Sequence, residues 1–440
     1  LSDYFVRALT YSPDSSLLLR HLAALPGLIM LDSGLQAAGH VAAHGARYDI
    51  LSALPRTVLR DALPARRTAP TLFQPDVLFA DLSAQLQTHA PTTPLPLPLR
   101  GLPFVGGAMG YVGYDGYSRF GIHDWAIVVD HQAGTTLLFA LPDCPTATLQ
   151  TVLARLDLPL PALPGFALDS PFMSNFTPSA YAAAFAQAQE YIQAGDCYQV
   201  NLAQRFSARC SGDPLGAYLQ LRAGIRSPFS AFIRDEDRTV LCFSPERFLE
   251  VRGDQVQTQP IKGTRRRSPD AAQDKALADE LLHSEKDRAE NLMIVDLLRN
   301  DLGSLCATGS VRVKKLFELH SFSNVHHLVS TIQGRLPAPH TPIDLLRVCF
   351  PGGSITGAPK QRSMEIIAEL EPDARQVYCG SAGYVGFDGQ MDSNIMIRTL
   401  LCEGQDIHCW GGGGLVADSV CSQEYQECFD KINNIIKVLK

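Results

Sequence analysis

Polar and apolar residues alternate from Tyr198 to Phe206, the period of a half-buried strand. Short apolar runs at Ser230 to Ile233, Val240 to Phe243 and Phe248 to Val251 continue that series. Earlier in the chain, Leu28-Ile29-Met30-Leu31 and Arg47-Tyr48-Asp49-Ile50-Leu51 read as strands with polar ends, and Ala126 to Val129 and Thr135 to Ala140 suggest two more. Further apolar segments follow at Val311 to Val313 and His326 to Ser330, with strands expected at Val377 to Val385 and Ile395 to Leu401.

Helical spacing takes over between these runs. Thr177 suits an N-cap and Pro178 a first turn; Tyr181, Phe185, Ala188 and Ile192 give one apolar face, and Gly195 ends it. Residues 72–90, 271–301, Lys360 to Leu370 and Ser422 to Leu439 are the other expected helices. Pro91 to Pro103 reads as a surface connection, and the proline-rich residues 142–176 as a boundary. The glycines of Phe104 to Asp115 do not have the G-x-G-x-x-G spacing, so they are not read as a nucleotide fingerprint. Gly352 to Lys360 has the look of a P-loop but lacks its Lys-Ser/Thr, so it is not read as one either.

Composition narrows the class. The 440 residues are 46% hydrophobic and 19% charged, as in a globular protein with a large core. A net charge of −7 removes any global basic field for nucleic acid. Eleven cysteines, none in C-x-x-C, point to reduced thiols and a cytoplasmic protein. Leu17 to Leu31 is broken by Arg20 and His21, so neither a signal peptide nor a membrane span is expected.

Lysine placement then changes the picture. Lys262 is the first lysine in the chain, and only nine occur in all. Arginine holds its proton at any ordinary pH, whereas a lysine buried or set near another cation can lose it and become a nucleophile. From Pro260-Ile261-Lys262-Gly263-Thr264 alone, a surface lysine is the plainer reading. Two pairs of acids share helix faces at three-residue spacing: Asp287 with Glu290, and Glu424 with Glu427. Such pairs suit an oxygen-ligated divalent cation, or simply two solvated faces. Lys431, four after Glu427, fits a helical ion pair.

The motifs together resemble the chorismate-utilising enzyme family. They run from Gly195-Asp196-Cys197-Tyr198-Gln199-Val200-Asn201-Leu202 through Ser244-Pro245-Glu246-Arg247-Phe248, the Lys262 stretch and Glu290-Asn291-Leu292-Met293. They continue through His327 to Ser330, Gly353 to Lys360, Ile397-Arg398-Thr399, Gly412 to Ser419 and Glu424-Tyr425-Gln426-Glu427. The N-terminal part matches more loosely, through Leu31-Asp32-Ser33, Arg47-Tyr48-Asp49 and Phe104 to Asp115.

The resemblance implies an α+β fold of two large antiparallel β-sheets packed as a sandwich with helices outside. It implies an N-terminal part over residues 1–165 and a chorismate-binding region over 170–440, intertwined as one unit. It implies Mg²⁺ held by Glu290 and Glu427, with Asp287 and Glu424 supporting. It places Thr264, His327, Thr356, Tyr378, Arg398, the backbone of Gly412, Gly413 and Gly414, and Lys431 around the substrate. Glu246 would be the general acid for the departing C4 hydroxyl. Lys262 would attack C2, and ammonia entering at C4 would then release it, giving 4-amino-4-deoxychorismate on the route to 4-aminobenzoate and folate. With no Gly-x-Cys-x-Gly elbow in the chain, ammonia would come from a separate glutamine amidotransferase subunit. Leu31-Asp32-Ser33 resembles a tryptophan-contacting segment.

Two alternatives remain at this point. Anthranilate synthase component I shares most motifs but typically carries alanine where Lys262 stands. A non-catalytic chorismate- or tryptophan-binding protein would not need Glu246, Lys262, Glu290 and Glu427 together. The water-adding relatives typically carry a lysine base where this chain has Gln199, which disfavours water addition.

Overall fold

The computed structural model describes residues 3–35, 47–61, 75–322 and 325–440. Two antiparallel sheets, of thirteen and ten strands, form the sandwich. The larger sheet runs from Phe5–Leu9 at one edge, through Ile29–Asp32, Phe229–Arg234, Arg238–Ser244 and Thr399–Glu403, to Asp406–Leu415 and Gln199–Gly212. The smaller runs from Ile261–Arg266 through Val325–Arg335, Arg247–Arg252, Met391–Asn394 and Ser381–Gly386 to Gly107–Val112. Each sheet takes strands from both sides of residues 142–176. Ser230 pairs with Asp32 in the larger, and Ser381 with Val112 in the smaller.

Side-chain alternation explains why so many strands read as unbroken apolar runs. In Phe229–Arg234, Ala231 and Ile233 face the core shared by the two sheets, while Phe232 faces a second core under helices. Val240 and Cys242 likewise point one way and Leu241 and Phe243 the other. Leu19, Tyr218, Ile432 and Ile435 bring the helices onto that outer face.

Several expected elements shift, each for a local reason. The helix expected at 72–90 is Asp76–His89; residues 72–74 lie outside the described part. Residues 271–301 divide at Ser284, which closes the helix Ala271–His283 and caps Glu285–Gly303 by accepting from the Asp287 amide. Residues 142–176 contain the helix Thr146–Asp157 and the short strands Phe166–Leu168 and Met173–Ser174, not a bare connection. The strand expected from Val377 begins only at Ser381, because Gly380 donates back to the Val377 carbonyl in a turn. Ile395 to Leu401 is not one strand: the chain crosses there from the smaller sheet to the larger, with Arg398 at φ 52°.

Candidate active site

The strand Ile261–Arg266 pairs with Val325–Arg335, Lys262 opposite Leu328 and Thr264 opposite His327, with a register shift between the two pairs. Gly263 occupies that shift at φ +82°. A Cβ there would stand 3.0 Å from Asp287 Cβ and Cγ and 2.8 Å from a Leu281 methyl, so only glycine fits without displacement. The bulge seats Lys262 among charged groups. Burial pushes its ammonium pKa down; Glu290, Glu246 and Glu427 oppose that and Lys431 reinforces it.

Glu246 is buried, and its carbonyl accepts from the Ile395 amide at 3.1 Å. Burial pushes its carboxyl up to about 7, against the pull of a Ser354 hydrogen bond and the Lys262 charge. Arg247 is not its partner: that guanidinium grips Asp392 at 2.9 and 3.0 Å. A carboxylic acid that holds its proton near neutrality therefore lies within electrostatic reach of the lysine.

Two helices carry the acids. Glu290 on Glu285–Gly303 is raised by burial, with Lys262 and Lys286 opposing and Glu427 adding. On Cys421–Leu439, Glu424 is buried, accepts from Ser419 Oγ at 2.7 Å, and is raised chiefly by burial. Burial also works to raise Glu427, but Lys431, Lys262 and Lys286 hold it below its usual range. Lys431 Nζ lies 2.6 Å from Glu427 Oε1 and donates to the Gly412 carbonyl at 2.6 Å. Asp287 faces elsewhere, accepting from Arg265 Nη2 at 3.1 Å.

The glycine run is a strand, not a turn. Asp406–Leu415 pairs with Gln199–Gly212 along its length, but its pairing with Thr399–Glu403 stops at Cys409. From Trp410 to Leu415 one edge is left without a strand neighbour among the described residues. Unpaired backbone N–H groups on such an edge suit an anion. A Cβ on Gly413 would meet Glu424 Oε2 at 3.0 Å and Glu427 Oε1 at 3.4 Å; the bare backbone lets both carboxylates close in.

Arg398 is half-buried, and among the described residues its guanidinium has no hydrogen-bond or ion-pair partner. Burial alone lowers its pKa. A half-buried cation without a counter-charge sits ready for an anion. Its field, with burial as the larger cause, drives the His327 imidazole to about 3, so that ring is neutral. His327 Nδ1 pairs with Thr264 Oγ1 at 2.9 Å, while Nε2 is buried with no partner. Thr356 is buried and spends its hydroxyl on the Gly352 carbonyl at 3.1 Å. The buried Tyr378 ring lies parallel to Trp410 with centroids 6.0 Å apart.

Leu31-Asp32-Ser33 belongs to a different place. Leu31 and Asp32 line a cavity of about 590 Å³ with Tyr48, Phe229, Arg247 and Asp392. Asp32 is tied to Arg222 at 2.6 Å and to the Tyr218 hydroxyl at 2.7 Å; Ser33 donates to Asp49 through its amide and hydroxyl. Sequence reasoning gave no role to Ser354 beside Glu246, or to Lys286. The i,i+4 spacing of Lys286 and Glu290 was a usable signal for the second.

The family of chorismate binding enzymes matches residues 78–437. The chain belongs to that family. Within it, the chain is 46% identical over 439 residues to aminodeoxychorismate synthase component 1 of Klebsiella aerogenes, covering 95% of each. It is 50% identical over 357 residues to the protein of that name from Escherichia coli K12, covering 77% of this chain and 78% of that one. Among solved structures, anthranilate synthase component I from Streptococcus pneumoniae is 30% identical, with a TM-score of 0.74, covering 92% of this chain and 95% of its own. This chorismate binding enzyme has, among the described residues, no helix long and apolar enough to cross a membrane.

Proposed function

We propose that this enzyme replaces the C4 hydroxyl of chorismate with an amine, giving 4-amino-4-deoxychorismate. The observation that carries this reading is Lys262: an amine whose pKa is lowered, beside an acid that keeps its proton to about 7. Neutral Lys262 attacks C2; the two conjugated ring double bonds each shift one place toward C4, and the C4–O bond breaks as Glu246 gives its proton to the departing oxygen, which leaves as water. Ammonia then forms a bond at C4, both double bonds shift back and the C2–N bond breaks. Lys262 is released neutral, and the proton shed by the incoming nitrogen returns to Glu246. Arg398 and the open edge of Trp410 to Leu415 hold carboxylate oxygens, and His327 Nε2 offers a polar contact within the pocket.

The residues fit Mg²⁺. Among the described residues no three His, Cys, Asp or Glu groups form a ready cage, but Mg²⁺ needs only one or two carboxylates besides water and substrate oxygens. Glu290 and Glu427 would hold it and Glu424 would support them, since carboxylates whose charges raise one another's pKa gain from a shared cation. When bound, the ion would add positive charge at the ring carboxylate. Asp287, occupied by Arg265, would act only through neighbouring groups.

The relatives are called component 1, which supports a partner component. A glutamine amidotransferase would supply the ammonia, in the cytoplasm, for 4-aminobenzoate and folate synthesis. The cavity beside Leu31 is proposed to take tryptophan, with Phe229 and Tyr48 against the ring and Asp392 near the amine. Incubation with chorismate, Mg²⁺ and an ammonium salt tests the main reading by product mass. Formation of 4-amino-4-deoxychorismate without pyruvate supports it. Pyruvate and anthranilate would favour the anthranilate synthase reaction, and no turnover a binding role.

A further inference from the structure

Three ammonium groups face three carboxylates at the helix pair: Lys262, Lys286 and Lys431 against Glu290, Glu424 and Glu427. Two of these lysines have no place in the displacement chemistry. Lys431 is anchored twice, by Glu427 and by the Gly412 carbonyl. Lys286 is held more loosely. Its Nζ is 4.0 Å from Glu290 Oε1, and 59% of its side chain is exposed. It stands on the first turn of Glu285–Gly303, yet its charge also reaches Glu424 and Glu427 on the other helix. A long, flexible, hydrated ammonium that stands 4.0 Å from one acid, reaches two others only through its charge and is otherwise open to water can swing out at little cost.

We propose that Lys286 is a built-in counter-cation, occupying the acidic pair until a divalent ion displaces it, and that it sets how weakly the free enzyme holds metal. This rests on Glu290 and Glu427 being metal ligands. Without such a charge, Gly413 would bring Glu424 and Glu427 together against Glu290 with less to balance them. With it, a metal ion must compete with the ammonium, so the empty enzyme binds metal modestly. A dianionic substrate arriving with the ion then supplies the missing negative charge.

The test is Mn²⁺ binding to the full chain without substrate, read from the electron paramagnetic resonance of the free ion. Wild type should bind one ion per chain, and Glu290→Gln or Glu427→Gln should abolish that binding. Absence of wild-type binding, or wild-type binding by both glutamine variants, overturns the metal assignment. Lys286→Gln should bind about two- to fivefold more tightly, the span of one exposed ion pair, and Lys286→Arg should stay near wild type. Should Lys286→Gln bind equally or more weakly while the glutamate variants remain defective, the metal assignment stands and the counter-cation role falls.

Discussion

Glu246 and Lys262 bias each other's protonation: the lysine's charge pulls the carboxyl pKa down, and the carboxylate's charge pulls the ammonium pKa up. Burial outweighs both pulls, leaving the acid at about 7 and the amine below its usual range. The proposed chemistry needs the acid protonated and the amine neutral. kcat/KM should therefore be bell-shaped in pH, lost at high pH as Glu246 gives up its proton and at low pH as Lys262 gains one. Glu246→Gln should cost about 10²–10⁴ in kcat and remove the alkaline limb. A pH profile on both proteins checks this.

The same carboxyl makes a stability prediction of opposite sense. Its folded pKa lies above its ordinary 4.5, so the folded state holds the proton more tightly and stability falls as pH rises from 4.5 through about 7. Glu246→Gln should match wild type at pH 4.5 and be more stable at pH 8, by up to about 3 kcal/mol. Urea unfolding at both pH values measures it.

Arg398 should separate binding from folding. It gives up no partner on mutation, so Arg398→Ala should leave the melting temperature unchanged or raised. Loss of a charged hydrogen bond to a substrate carboxylate should raise KM about ten- to a hundredfold. A fall in melting temperature with unchanged KM would reverse the assignment.

Gly263→Ala adds a Cβ at positive φ against Asp287 and should destabilise by about 1–3 kcal/mol. Gly413→Ala meets carboxylate oxygens, not packed backbone, so its main effect should be weaker Mn²⁺ binding with a near-normal melting temperature. Calorimetry on the two variants distinguishes a fold glycine from a site glycine.

Much of this was readable along the chain, because strand and helix periods are local. The helix from Pro178 to Ala194, with its Thr177 cap and Gly195 stop, falls where the pattern put it. Which residues meet was less readable. Lys262 comes within reach of Glu246, just ahead of Arg247–Arg252, only in the folded sheet, where that strand and Ile261–Arg266 lie three places apart with Gln255–Gln259 and Val325–Arg335 between them. Arg398 looked like a strand residue; its positive φ comes from the crossing between sheets, which no apolar period encodes. Asp287 had the spacing of a metal ligand, but Arg265, opposite His326 on the neighbouring strand, claims it.

The interleaving of the sheets also bears on how the protein comes into being. Ile29–Asp32 and Gly107–Val112 find strand neighbours about two hundred or more positions later, and Glu424 and Glu427 come later still. A ribosome must release the chain through Asn394 before the smaller sheet can be completed, and through Leu415 before the larger. Such distant pairings make assembly slow. A nascent chain stalled before Cys421 would expose bare sheet and no acidic pair, a shape for chaperones and proteases, not for substrate.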